Sequence, residues 1–144
     1  MSKNPDQQDV PYRLDDQIGF ILRRASQRHL AIFAAAMPDL TPMQFAVLAK
    51  LFEAGAMSQN ALGRRTAMDA ATIKGVVDRL AARAFLKTRR DDGDRRRTIV
   101  DLSDEGRALY ERLQSVARTI TKETLGPLDA REKKRLVALL RRLE

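Results

Sequence analysis

The sequence predicts a fold that is mainly α with a small β-hairpin wing, and three observations carry that expectation. Over most of the chain apolar residues recur at three- and four-residue steps, as one face of a helix requires. That periodicity fails once, between Phe85 and Leu102, where Thr, Ile and Val flank a polar turn containing Gly93. Capping residues, Thr41, Ser58, Asp69, Ser103 and Asp129, each precede an apolar run and spell out where helices begin.

Residues 1–12 are polar, contain Pro5 and Pro11 and lack periodicity, so they are expected to form a mobile N-terminal arm ahead of one domain spanning 13–144. From Leu14 the residues Ile18, Ile21, Leu22, Ala25, Ile32, Phe33 and Ala36 mark a first helix that stops before Pro38. Thr41, Pro42 and Gln44 form a capping-box start for a second helix, with Phe45, Leu48, Leu51 and Phe52 on one face and Gly55 at its end. Ser58 caps a short third helix, Gln59 to about Thr66, with Ala61 and Leu62 inward. After the turn Ala67-Met68, Asp69 caps a fourth helix whose inward residues are Ile73, Val76, Val77, Leu80 and Ala84. Its other face, Ala71, Thr72, Lys74, Gly75, Asp78 and Arg79, is small or polar. Phe85–Arg90 and Arg97–Leu102 read as two strands joined by a tip at residues 91–96. Ser103 opens a long fifth helix with Asp104 and Glu105 complementing its dipole, and Leu109, Leu113, Val116 and Ile120 as its stripe. Gly126-Pro127 ends it. Asp129 and Glu132 form another capping box for a last helix bearing Leu136, Leu139, Leu140 and Leu143.

Composition removes several functions. A chain of 144 residues is one domain in size, and the absence of Cys excludes disulfides, thiolate zinc sites and thiol chemistry. A single histidine, His29, makes no metal cluster, and no metal or cofactor is expected. The longest apolar run, Leu30–Met37, is far short of the ~20 residues of a membrane span, and the start MSKNPDQQD does not resemble a signal peptide. The expectation is a soluble, cytoplasmic protein without a membrane partner. With 27 Lys and Arg against 19 Asp and Glu, the net charge is +8. Residues 57–102 hold eleven basic and six acidic side chains, whereas residues 1–56 are balanced at six each. A local basic excess fits an acidic polymer as partner, since Lys and Arg release counterions from phosphates. A solvated basic surface that serves solubility is the plainer alternative.

Three helices followed by a hairpin, over residues 41–102, give the order of a winged helix-turn-helix DNA-binding lobe. The small outer face of the fourth helix suits entry into a major groove, where Ala71, Thr72 and Gly75 allow close approach and Lys74 and Arg79 reach bases or phosphates. Arg64 and Arg65, just before it, suit phosphate contact. Between Lys87 and Arg97 there are six basic and three acidic residues in eleven positions. Such a tip, with Arg95, Arg96 and Arg97, suits a minor groove, although a charged hairpin also protects a sheet edge.

The segment from Asp91 to Gly106 resembles the wing signature of the MarR (multiple-antibiotic-resistance repressor) family of bacterial transcription regulators. The shared features are an Asp-x-Arg tip, an apolar strand, and then Leu102-Ser103-Asp104-Glu105-Gly106. Thr72–Leu80 resembles that family's recognition helix. The resemblance implies that Asp94 braces the tip, that Arg96 enters the minor groove, and that Ala84 replaces a glycine commonly found there. If that position is left-handed, alanine costs about 1–2 kcal/mol; otherwise the turn is built differently here.

The terminal helices, residues 13–37 and 103–144, are too long and apolar merely to prop a winged helix. Leu14, Ile18, Leu113, Leu136, Leu139 and Leu140 are candidate dimerisation residues, and the resemblance likewise implies a two-fold dimer with ligand pockets between its parts. Two recognition helices would then sit about 34–36 Å apart on a pseudopalindrome. His29 is either a partly exposed helical histidine or part of an effector pocket with Arg13, Gln17, Phe33 and Phe45. In the second case cations hold a carboxylate and rings hold an aromatic body. The first helix also faintly resembles regulators of aromatic or nicotinate-type acid breakdown.

Two other classes compete. Asp91, Asp92 and Asp94 offer carboxylates to a cation, but the interspersed arginines already compensate them, and no nucleophile–base pair is evident. A protein-binding adaptor is the remaining possibility. The expectation is a non-enzymatic, homodimeric repressor that binds double-stranded DNA and is released by an aromatic carboxylate.

Overall fold

A computed structural model of the chain describes residues 10–144, so most of the expected arm lies outside the described residues. Six α-helices and a three-stranded antiparallel sheet make up the described fold, a winged helix: α1 Ile18–Ala36, α2 Pro42–Ala54, β1 Met57–Ser58, α3 Gln59–Arg65, α4 Ala70–Ala82, β2 Leu86–Arg90, β3 Thr98–Leu102, α5 Asp104–Thr124 and α6 Ala130–Arg141.

The first helix differs from the expectation at its start. Leu14–Asp16 form one 3₁₀ turn, Gln17 is extended, and α1 begins at Ile18. At the other predicted starts the caps are formed. Thr41 accepts from the Gln44 N–H and the Gln44 side chain accepts in return, and Asp129 and Glu132 repeat that box. Ser58, Asp69 and Ser103 each accept one N–H from the first turn of α3, α4 and α5.

One strand was not expected. β1 adds to the far side of β3, giving the order β1-β3-β2, with Met57 opposite Val100 and Ser58 opposite Ile99. β2 and β3 form the expected hairpin, from Leu86 opposite Leu102 to Arg90 opposite Thr98.

The most deeply buried part of the core belongs to the central lobe, with Phe33 and Met37 at the end of α1 and Tyr110 and Ile120 of α5 packed onto it. Val47, Leu48 and Leu51 of α2, Leu62 of α3, Ile73, Val77 and Leu80 of α4 and Val100 of β3 are almost wholly inaccessible. Gly63 lets α3 and α4 cross closely, because a Cβ there would stand 3.1 Å from the Met68 carbonyl oxygen and 3.2 Å from Ile73.

Ala84 lies beyond α4 and not on its inward face, and it adopts the left-handed conformation, φ 64°. The Phe85 N–H donates to the Leu80 carbonyl at 3.0 Å and the Ala84 N–H to that of Ala81 at 2.9 Å. These two bonds are a Schellman ending, which ordinarily places glycine where Ala84 stands. The turn is therefore left-handed at this position and bears the alanine strain.

Below that turn, Ser103 joins the wing to α5. Its hydroxyl donates to the Ala84 carbonyl at 2.6 Å and accepts from the Gly106 N–H at 3.0 Å, while its own N–H donates to the Phe85 carbonyl at 3.1 Å. α5 approaches so closely that a Cβ on Gly106 would lie 2.0 Å from the Phe85 carbonyl oxygen. The Ser-x-x-Gly spacing thus has a physical cause: the serine ties the turn down and the glycine makes room for it.

Candidate nucleic-acid interface and effector cleft

α4 turns Ile73, Val76, Val77 and Leu80 into the core, and the hundred-degree step of a helix then sends Ala71, Lys74, Asp78 and Arg79 outward, with Thr72 and Gly75 partly covered. The Thr72 N–H donates to the Asp69 carboxylate at 2.7 Å. That backbone bond, reinforced by the Thr72 side chain, holds the Asp69 carboxyl below its ordinary 3.8, so the cap is anionic at neutral pH. Lys74 meets Asp78 at 2.7 Å along the helix. Arg64 and Arg65 lie exposed in the last turn of α3, just ahead of α4.

A cleft of about 510 Å³ runs between the outer side of α4 and the start of α2, lined by Thr41, Met43, Gln44, Ala71, Thr72, Gly75, Val76 and Arg79. Here Arg79 folds back over Gly75, its guanidinium 3.4 Å from where a Cβ would be. Met43, which the sequence reading did not single out, is 49% exposed at this edge.

The wing tip is held by its own acids. The Asp94 carboxylate accepts from the Arg96 N–H at 3.1 Å and meets the Arg96 Nε at 3.3 Å. Asp91 accepts from the Gly93 N–H at 3.1 Å and pairs with Arg97 at 3.5 Å. Arg95, Arg96 and Arg97 point into solvent, the Arg96 side chain being 93% exposed. A small hollow lined by Ser58, Gln59, Asn60, Arg96, Arg97 and Thr98 connects the wing root to the start of α3. Arg64, Arg65, the outer face of α4 and the three wing arginines thus come from three elements of one lobe. Among the described residues no three acidic or histidine side chains converge on a metal position.

The proposed effector residues do not all meet. His29, Phe33 and Phe45 form a line of edge-on rings, with centroids 6.4 Å and then 6.3 Å apart, and Phe45 continues to Tyr110 of α5 at 5.5 Å. His29 Nδ1 sits 2.8 Å from the Thr124 hydroxyl, and the neighbouring Arg28 guanidinium donates to the carbonyls of Thr124 and Glu123 at the end of α5. His29 is thus engaged at the C-terminal end of α5. Arg13 and Gln17 stand elsewhere in the chain. Gln17 donates to the Arg13 carbonyl, and Arg13 faces Asp16 at 3.8 Å. At 1.5 Å per residue, Gln17 is about 18 Å along α1 from His29.

Phe45 instead opens onto a cleft of about 410 Å³ between α2 and α5, lined by Ala49, Phe52, Glu53, Tyr110, Gln114, Ala117, Arg118 and Thr121. Burial, and secondarily the Glu53 charge, raise the Tyr110 phenol above its ordinary 10.0, partly opposed by Arg118, so it remains a hydrogen-bond donor at neutral pH. Tyr110 and Arg118 were not singled out from the sequence, and Phe52 was placed only on the apolar face of α2, because nothing local links α2 to a helix more than fifty residues later.

The leucines of α6 face outward, none of its residues being buried. Leu14 and Ile18 are exposed as well, whereas Leu113 packs partly against its own chain's core. No described helix is long and apolar enough to cross a membrane.

Comparison with known proteins agrees with this architecture. The MarR family's sequence profile matches residues 40–98, the span from the end of the α1–α2 loop to the first residue of β3. The chain is 42% identical over 137 residues to the HTH-type transcriptional repressor NicR of Pseudomonas putida, covering 94% of this chain and 87% of that one. A probable transcriptional regulator from Pseudomonas aeruginosa superposes with a TM-score of 0.88 at 53% identity, over 92% of this chain and 100% of the other. BpsR of Bordetella bronchiseptica, whose DNA binding is regulated by 6-hydroxynicotinic acid, superposes with a TM-score of 0.90 at 43% identity, over 93% and 97% of the two chains. Similarity of this degree over nearly the whole length, on a winged helix with a basic tip, shows that the chain belongs to the MarR family of transcriptional regulators.

Proposed function

We propose that the protein is a homodimeric repressor that binds a pseudopalindromic operator in double-stranded DNA and is released by an aromatic carboxylate. Genes for aromatic-acid breakdown, of the nicotinate type, or for efflux are its targets. The observation that carries the DNA reading is that one lobe exposes Arg64 and Arg65 on α3, the small and polar outer side of α4, and Arg95, Arg96 and Arg97 on the wing. α4 enters the major groove, Arg64 and Arg65 contact phosphate, and Arg96 reaches the minor groove with Arg95 and Arg97 beside it. Asp94 acts on DNA through Arg96, whose backbone and side chain it fixes. Within the domain of residues 13–144, the lobe of residues 41–102 binds DNA and the helices on either side pair two copies. The exposed Leu136, Leu139 and Leu140 of α6, with Leu14 and Ile18, supply the apolar faces for that pairing.

For the effector, support comes from BpsR, which responds to an aromatic carboxylic acid at 43% identity to this chain. The α2–α5 cleft offers aromatic walls at Phe45, Phe52 and Tyr110 and one cation, Arg118. His29 and Phe33 stand behind Phe45 in the row of rings. Arg13 and Gln17 take part if a second copy brings the start of its α1 to this cleft. A ligand between α5 and the DNA-binding lobe changes operator affinity by its differential affinity for two spacings of the recognition helices.

The test is titration of the protein–operator complex with 6-hydroxynicotinate and a panel of benzoates, using the parent, Phe45→Ala, Arg118→Ala and Arg13→Ala. Release at lower acid concentration in the parent than in Phe45→Ala and Arg118→Ala supports the cleft. Loss of response in Arg13→Ala alone moves the carboxylate to the start of α1, and no release by any acid removes the effector reading.

A further inference from the structure

The outer face of α4 contains a residue that a phosphate-binding surface should not have. Opposite the buried stripe of Ile73, Val76, Val77 and Leu80, the helical steps place Ala71, Gly75 and Asp78 along the middle of the outer face, Gly75 half-buried under the Arg79 guanidinium, with Lys74 on one flank and Arg79 on the other. The middle of this face is therefore two small residues and a carboxylate.

Three other acids near the interface have structural reasons to be there. Asp69, Asp91 and Asp94 each accept a backbone N–H that forms a helix cap or a turn of the wing. Asp78 has none of these duties. Among the described residues its partner is the Lys74 ammonium, 2.7 Å away, and both side chains are about two-thirds exposed. An exposed pair with the lysine N-terminal to the acid is the weaker order for helix stability. On a face that meets polyphosphate, a carboxylate also repels its partner unless it faces hydrogen-bond donors.

In the major groove those donors are base amino groups, cytosine N4 above all for Asp and Glu. Asp is short, so it reaches a base only if the helix sits deep, and Ala71 and Gly75 beside it remove the side chains that would hold the helix off. We infer that Asp78 is a specificity-determining residue that accepts a hydrogen bond from the N4 amino group of a cytosine in each half-site, with Lys74 held beside it to donate to a neighbouring guanine. The carboxylate also lowers affinity for DNA lacking that cytosine, so one side chain both selects the right sequence and rejects wrong ones.

This rests on the reading of α4 as the major-groove helix, and the experiment separates the two. Parent, Asp78→Ala and Asp78→Asn are measured by fluorescence anisotropy against the preferred duplex, against each of its single base-pair variants, and against a random duplex. Thermal unfolding is recorded for all three proteins. The parent should lose roughly 5- to 150-fold at one C·G position per half-site. Asp78→Ala should erase that discrimination, retain the preferences elsewhere and bind the random duplex more tightly than the parent. Asp78→Asn should move the preference at that position from cytosine to adenine, because an amide pairs with adenine N6 and N7. Equal change on every duplex, or an unaltered base preference at every position, overturns the assignment of Asp78 while leaving α4 on the DNA. A parent that binds no duplex overturns both.

Discussion

In the lobe built from α2, α3, α4 and the sheet, Leu48, Leu51, Leu62 and Leu80 are wholly buried, whereas in α6 Leu136, Leu139 and Leu140 stand 37 to 43% exposed. Both regions have helical leucine spacing and clean caps, so local sequence does not distinguish them. What differs is the supply of partners. The lobe folds three helices and a sheet onto one another, while α6 leaves after the turn at Gly126-Pro127 with its apolar face turned outward. A 12-residue helix is marginal in water without packing. The lobe is therefore complete within one chain, and α6 leaves its apolar face uncovered, which the proposed dimer would bury.

Truncation should affect the two regions differently. Leu48→Ala should cost about 2–5 kcal/mol in urea unfolding at every protein concentration, because a fully buried side chain leaves a cavity. The double variant Leu139→Ser, Leu140→Ser should keep the circular-dichroism signal of the lobe and shift the sedimentation equilibrium toward monomer. A double variant that unfolds the lobe, or that leaves the mass unchanged, would contradict the division.

Next in size is the joint between wing and α5. Gly106→Ala should cost about 3 kcal/mol, because a Cβ at 2.0 Å from the Phe85 oxygen forces backbone apart and loosens the Ser103 bonds. A loss under about 1 kcal/mol would mean that α5 does not approach that closely.

On the DNA side, Arg96→Ala should weaken operator binding roughly 10-fold and lower the salt slope by about one, with unfolding unchanged, since the side chain is 93% exposed. Unchanged affinity at physiological salt would remove Arg96 from the groove. The smallest expected change is a gain: Ala84→Gly should stabilise the fold by about 1 kcal/mol by relieving the positive φ. A destabilised glycine variant would show that the alanine methyl is worth more than the strain.

These contrasts also indicate what the sequence alone could convey. Helix starts were legible because capping is local: Thr41 with Gln44, and Asp129 with Glu132, need three residues and nothing else. The hairpin was legible from its loss of helical period. β1 was not, because Met57 and Ser58 are too few to alternate and pair with residues about forty positions away. For the effector residues, chemical type suggested grouping Arg13 and Gln17 with His29, and the rise of the helix keeps them apart within one chain. Conversely, Tyr110 and Arg118 join Phe45 only because α5 packs across α2, which no periodicity announces. Asp78 was visible as part of the polar side of α4, and its place at the centre of that face emerges once the buried side is known.

A dimer of the proposed kind presents two copies of α4 and the wing to duplex DNA one helical turn apart. Selection of the full-length protein against a random duplex library tests it most directly, because it presupposes no target gene. The expected result is enrichment of an inverted repeat whose half-site centres lie about 10 base pairs apart, bound with strong salt dependence and lost in Leu139→Ser, Leu140→Ser. Failure to enrich any duplex, or enrichment of a single unrepeated site that the monomeric variant binds as tightly as the parent, would contradict it.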